Sequence, residues 1–70
     1  MTNLAKIRKA RGLSQRQLAT LSDVHQVMIA RLESGERPIA NIRLSTAIAL
    51  ADALNVDVRD LLDAESPEDR

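Results

Sequence analysis

The stretch between the two glycines of the chain, Gly12 and Gly35, constrains the fold more than any other part of the sequence. Its apolar residues recur at intervals of three and four, which is the period of a helix and not of a strand. Ser14, with Gln17 three residues later, forms a capping box that begins a helix, and Asp23 marks a turn. Gly35 then ends a second helix. The stretch predicts two short helices joined by a tight turn.

Similar boundary signals predict three more helices around this pair. The first begins after Thr2 or Asn3 as the N-cap and ends at the first glycine. Pro38 imposes a loop, because it removes a backbone donor and keeps the residue before it from staying helical. A fourth helix is predicted over residues 42–54, and a short fifth helix follows Asp57. The chain is therefore predicted to be all-α, a compact five-helix domain with the tight turn between its second and third helices.

The length of 70 residues fits one domain, which we place over residues 1–63. The last segment, residues 64–70, is polar, acidic and interrupted by proline, so we predict that it is a disordered tail. The spacing of the apolar residues in the second and third helices also predicts which of them face the core. These are Leu18, Ala19, Leu21, Val24, Met28, Ile29 and Leu32.

Composition excludes several classes of function. The chain has no cysteine and one histidine, so we expect no disulfide, no metal site, no cofactor and no enzymatic activity. No stretch approaches the ~20 apolar residues of a membrane span, and the N-terminus lacks the apolar segment of a signal peptide. We therefore expect a cytoplasmic protein without a membrane partner.

Charge is divided between the two ends of the chain. Net charge is formally zero, but residues 1–43 carry eight basic and three acidic residues, whereas residues 44–70 carry two basic and seven acidic ones. A chain of this kind offers its basic part to an anionic partner. Basic residues that bracket the helix pair are the candidates for phosphate contacts, although each alone is also typical of a solvated surface. They are Arg16, Arg37 and Arg43, together with the polar Gln15 at the start of the second helix.

The third helix has an outer face of short or flexible side chains, which suits close approach to a DNA major groove about 12 Å wide. Gln26 is suited to adenine and Arg31 to guanine. Val27 is suited to the methyl group of thymine, and Ala30 either does the same or permits close approach. Met28 lies at the edge of the core, with a groove contact as the alternative. The chemistry of these side chains is compatible with contacts to base edges.

At these residues the sequence resembles the lambda-repressor-like helix-turn-helix proteins, in the branch of phage repressor and Cro proteins and their bacterial relatives. The similarity spans residues 4–62 and rests on IRKARGLSQRQLA, RLESG and LADALNVDVRDLL. It implies a five-helix domain that binds operator DNA, usually as a dimer, and regulates transcription. It also implies that Gln15 meets phosphate and braces the recognition helix, and that Gln26, Val27 and Arg31 occupy base-reading positions. Arg8 and Glu33 match a buried ion pair of the family.

The sequence departs from the pattern of this family at several positions. Asp23 stands where glycine is usual, and it tolerates left-handed geometry better than most residues. His25 stands where serine or threonine often caps the recognition helix. Glu36 stands where lysine is common, which weakens the expected grip on the DNA backbone there. The loop over residues 36–42 is also about three residues longer than usual.

We therefore predict a sequence-specific regulator of transcription, a repressor that occupies an operator in double-stranded DNA. A homodimer on a palindromic operator is expected, with a regulatory protein partner as a further possibility. The candidate dimer contacts are Val58, Leu61 and Leu62 of the short fifth helix. The alternative function is a protein-interaction module, such as an antitoxin-like partner in a complex, because the third helix exposes apolar side chains and the net charge is zero.

Overall fold

A computed structural model describes residues 2–62 of the chain. Over these residues the protein is all-helical, with four α-helices and two short 3₁₀ helices. The α-helices are α1 (Asn3–Ala10), α2 (Gln15–Ser22), α3 (Gln26–Ser34) and α4 (Leu44–Leu54). The 3₁₀ helices are Ile39–Asn41, in the loop before α4, and Val58–Leu61, which we call the C-terminal 3₁₀ helix. None of the described helices is long and apolar enough to cross a membrane.

Local side-chain caps explain where α1 and α2 begin. The Thr2 hydroxyl accepts a hydrogen bond from the backbone N–H of Ala5 at 3.3 Å. The Ser14 hydroxyl accepts one from the N–H of Gln17 at 3.0 Å, and the Gln17 side chain accepts one from the N–H of Ser14 at 2.8 Å. These bonds satisfy N–H groups that have no partner within the helix, so the predicted capping box is confirmed.

Left-handed residues end α2, α3 and α4. Their φ angles are +59° at Asp23, +84° at Gly35 and +59° at Asn55. This conformation stops a helix by turning the chain away from its axis, and glycine, asparagine and aspartate tolerate it best. The prediction that Asp23 takes the usual place of glycine in the turn is confirmed.

The core is formed by aliphatic side chains around α4. This helix packs against α2 and the C-terminal 3₁₀ helix, while α1 contacts α3 and the C-terminal 3₁₀ helix. The largest fully buried side chains are Leu4, Leu18, Ile29, Leu50, Leu54 and Leu61. Because α3 packs against both α2 and α1, the position of its outer face relative to the rest of the domain is fixed.

The structure corrects three predictions about elements and faces. The fifth helix is a single 3₁₀ turn, held by bonds such as that from the N–H of Asp60 to the carbonyl of Asp57, because four residues leave no room for α-helical bonding. The fourth helix begins at Leu44 and not at residue 42, after the Ile39–Asn41 turn. Leu21, predicted to face the core, is 60% exposed. The predicted acidic tail over 64–70 lies outside the described residues.

Candidate nucleic-acid interface

The turn between α2 and α3 is fixed by hydrogen bonds of its own residues. The Ser22 hydroxyl is buried, donates to the carbonyl of Leu18 at 2.7 Å and accepts from the N–H of Val24 at 3.2 Å. His25 caps α3, since its Nδ1 accepts from the N–H of Val27 at 3.4 Å. The angle between the two helices is therefore set by the turn as well as by their packing.

The two sides of α3 have different surroundings. Ile29 and Leu32 are buried, and Val24 and Met28 pack partly buried against the core. The opposite face carries the side chains predicted to read bases. Of these, Gln26, Val27 and Arg31 are exposed, whereas Ala30 is half-buried. The exposed face is thus narrow and polar at both ends, with valine between.

A buried ion pair attaches α3 to α1. Arg8 Nε lies 2.6 Å from Glu33 Oε2, Arg8 Nη2 lies 3.0 Å from Glu33 Oε1, and the two side chains are only 11% and 7% exposed. Arg8 Nη1 also donates to the carbonyl of Leu13 at 2.7 Å. Gln15 Nε2 donates to Glu33 Oε1 at 3.0 Å, so the start of α2 is tied to the same carboxylate. One network therefore joins α1, α2 and α3.

The network also determines the ionisation of its members. Burial by itself raises the pKa of Glu33, but hydrogen bonds from Arg8 and Gln15 and the nearby charges of Arg8 and Lys9 outweigh it, and the pKa is lowered. The hydrogen bond from Glu33 raises the pKa of Arg8 despite its burial. Both groups are therefore held in their charged forms.

The residues predicted to contact phosphate lie at different places around the pair. Arg16 borders a shallow cavity at the turn with Asp23, His25 and Gln26. Arg37 borders another, beyond the C-terminal end of α3, with Arg31 and Glu36. Gln15 is half-buried at the first position of α2, and Arg43 is exposed at the N-cap of α4. The two cavities lie at opposite ends of α3.

Comparison with known proteins identifies the family of the chain. A family model described as helix-turn-helix matches residues 4–61. The chain belongs to this family. Control protein C.SmaI of Serratia marcescens is 45% identical over 60 residues, which are 86% of this chain and 68% of that protein. The crystal structure of the restriction-modification controller protein C.AhdI from Aeromonas hydrophila superposes with a TM-score of 0.76 at 37% identity, covering 86% of both chains. The protein is a DNA-binding transcriptional regulator of Cro/C1 type, as the resemblance in sequence implied.

One predicted dimer contact of this helix-turn-helix protein is wrong. Leu61 is 1% exposed and belongs to the core, because the C-terminal 3₁₀ helix turns it onto α4 and α1. Val58 is half-buried and Leu62 is 46% exposed. Both line an apolar cavity that Leu44 also borders, and Leu44 is 68% exposed. Sequence reasoning missed Leu44, because the position of an apolar residue in the first turn of a helix does not show whether its side chain packs in the core or is exposed.

Sequence reasoning also missed the position of Arg11. Its Nε donates to the backbone carbonyl of Leu54 at 2.8 Å, which satisfies one of the unpaired carbonyls at the C-terminal end of α4. The two residues are 43 positions apart. The sequence carries no local signal for this contact. It indicated only that Arg11 is one of the eight basic residues in the N-terminal part of the chain.

Proposed function

We propose that this protein controls the transcription of a restriction–modification system by placing α3 in the major groove of an operator. The observation that carries the proposal is the exposed face of α3, a helix that the Arg8–Glu33–Gln15 network attaches to α1 and α2. Two of the proteins to which it is similar are a control protein and a restriction-modification controller protein. Occupying the operator would exclude polymerase, so we infer that repression is the basic action. Such a regulator works in the cytoplasm, where bacterial DNA lies.

We infer that Gln26, Val27 and Arg31 read bases. Their side chains are exposed on one face of α3, and their chemistry suits adenine, the thymine methyl group and guanine respectively. Ala30, half-buried between them, permits the helix to approach the base edges closely. Met28 packs against the core, which supports its assignment to the edge of the core.

Phosphate contacts are assigned to the residues around this face. Arg16 and Arg37 lie at the two ends of α3, where the groove walls would pass. Gln15 stands at the N-terminal end of α2, whose unpaired N–H groups attract anions, and one side-chain N–H already braces Glu33. Arg43, at the start of α4, extends the same basic border.

We further propose a homodimer on a palindromic operator. Leu44, Val58 and Leu62 border one apolar cavity, and Ile48 lies one helical turn after Leu44. A two-fold axis would bring this patch against its own copy, so that apolar surfaces cover each other. The same axis would place two α3 helices about one turn of DNA apart, ~34 Å.

A matrix of variants against DNA sequences tests the assignment of the helix face. The probes are a duplex selected in vitro from a random pool and a random-sequence duplex, each titrated at several salt concentrations. Arg31→Ala should lose about 1–3 kcal/mol on the selected duplex and relax the preference at one base position. Arg16→Ala and Arg37→Ala should weaken binding to both duplexes alike and lower the salt slope by about one each.

Two outcomes would contradict these assignments. If Arg31→Ala weakened both duplexes equally while Arg16→Ala altered base preference, another face of the protein would enter the groove. If the wild-type chain bound neither duplex with a salt-dependent affinity, operator binding itself would be abandoned in favour of a protein-interaction module. The exposed Val27 would then be a protein contact.

A further inference from the structure

Glu36 is an acidic residue at the edge of a surface that is otherwise suited to bind an anion. Its Oε2 lies 4.0 Å from Nε of Arg31, the residue assigned to guanine. Both side chains are more than half exposed, and the cavity that they border also contains Arg37. A carboxylate here would approach DNA phosphates, which repel it. Its position therefore needs an explanation other than affinity for the DNA backbone.

The backbone that carries Glu36 is held in place relative to Arg31. The Ser34 hydroxyl donates to the carbonyl of Arg31 at 3.0 Å and accepts from the N–H of Glu36 at 3.2 Å. The N–H of Arg37 donates to the same carbonyl of Arg31 at 3.2 Å. These bonds fold the chain back over the end of α3 after Gly35. The carboxylate is thus directed to the Nε side of Arg31 by the loop.

The contact between Arg31 and Glu36 is loose. At 4.0 Å it is an ion pair without the short, direct hydrogen bonds of Arg8 and Glu33. Exposed pairs of this kind are weak, because water screens them and two flexible side chains must be ordered. Arg31 can therefore reach guanine without breaking a strong bond, because the contact with Glu36 is made by Nε and not by the terminal nitrogens that would meet the base.

We propose that Glu36 is a specificity-determining residue that acts through Arg31, an inference that rests on the proposed operator binding. The carboxylate offsets the charge of Arg31 when the protein lies on arbitrary DNA, where that charge would otherwise attract any phosphate. On the preferred site it keeps the guanidinium turned towards the base edge. Glu36 weakens binding to random DNA and strengthens binding to the operator. The ratio of the affinity for the operator to the affinity for random DNA therefore rises.

Charge removal at Glu36, with a matched control on α4, tests the proposal in the full chain. Glu36→Gln keeps the size of the side chain, and Asp52→Asn adds the same unit of charge at an exposed position of α4. We expect Glu36→Gln to strengthen binding to a random-sequence duplex about threefold and to weaken binding to the in vitro selected duplex about threefold. Asp52→Asn should change both affinities less than about twofold. Equal strengthening of both duplexes by Glu36→Gln would overturn the proposal.

A double-mutant cycle shows whether Glu36 acts through Arg31. In an Arg31→Ala background, Glu36→Gln should leave the ratio of the two affinities unchanged, because the side chain that it orients is gone. If the ratio still fell about tenfold, Glu36 would act on the DNA directly and the proposal would be wrong. Failure of the proposed function is distinguishable, since the wild-type chain would then show no salt-dependent binding to either duplex.

Discussion

At the scale of single residues, the Arg8–Glu33 pair has the greatest consequence for stability. A buried ion pair is costly to break, because the remaining partner keeps its charge without compensation. Arg8→Ala and Glu33→Ala should therefore each lower the free energy of unfolding by about 3–5 kcal/mol, measured by urea denaturation at neutral pH. Effects below about 1 kcal/mol would mean that the pair is worth no more than an exposed one.

Replacing both partners is the matched control for this prediction. The double variant Arg8→Met, Glu33→Leu removes both charges and should cost less than either single variant. It does not become neutral, because the carbonyl of Leu13 and the amide of Gln15 lose their partners in the network. An unsatisfied buried polar group costs about 1–3 kcal/mol, and because both of these bonds are only part-buried, the two losses together should stay below the loss of either single variant.

The same pair predicts how stability depends on acid. Because the folded state lowers the pKa of Glu33, the carboxylate stabilises the fold above its unfolded pKa of about 4.3, and this contribution is lost as the pH falls through the folded value. Urea midpoints measured from pH 7 down to pH 3 should fall more steeply below pH ~4.3 for the wild type than for Glu33→Gln. Parallel curves would show that Glu33 does not contribute to the acid sensitivity.

At the scale of secondary structure, the ends of the helices position the groups around α3. Gly35 has φ +84°, and a Cβ built on it would meet no atom within 4 Å. Gly35→Ala should therefore destabilise the fold through backbone strain alone, by about 1–2 kcal/mol in thermal or urea unfolding. Gly35→Asn should cost less, because asparagine tolerates the left-handed region. Equal losses for both variants would point to a cause other than strain.

Gly35 also lies between Arg31 and Glu36, so its conformation has a consequence for the interface. The left-handed turn directs the chain back so that the N–H of Arg37 reaches the carbonyl of Arg31 at 3.2 Å. A helix that continued through residue 35 would carry Glu36 and Arg37 away along its axis. The end of α3 is thus part of the candidate interface as well as a boundary of the fold.

At the scale of the whole molecule, the proposed homodimer rests on the apolar patch of Leu44, Ile48, Val58 and Leu62. Leu44→Glu should weaken self-association at least tenfold in sedimentation equilibrium, since it places a charge where apolar surface is covered. Footprinting should then show one half-site protected at concentrations that protect two in the wild type. Leu21→Glu is the matched control for self-association, because Leu21 is exposed on α2 outside this patch. Dissociation by Leu21→Glu alone would move the interface to α2.

Most of the helix ends could be predicted from local residue types. The capping box of Ser14 and Gln17, the turn at Asp23 and the stops at Gly35 and Asn55 all depend on hydrogen bonds or φ preferences within a few residues. Such interactions are the same in any tertiary context, which is why they can be inferred from local residue types. The buried face of α3 could also be predicted, because the spacing of its apolar residues places them on one side of the helix.

The face that each short element turns to the core depends on tertiary packing and could not be predicted. Leu21 was expected inside and is exposed, whereas Leu61 was expected on the surface and is buried. In helices of eight residues or fewer, apolar side chains occupy several directions, and packing against elements distant in sequence selects among them. The bond from Arg11 to Leu54 and the approach of Glu36 to Arg31 arise in the same way. Each of these two contacts depends on how separate elements, or the loop after α3, are placed against one another. No local pattern in the sequence indicates that placement.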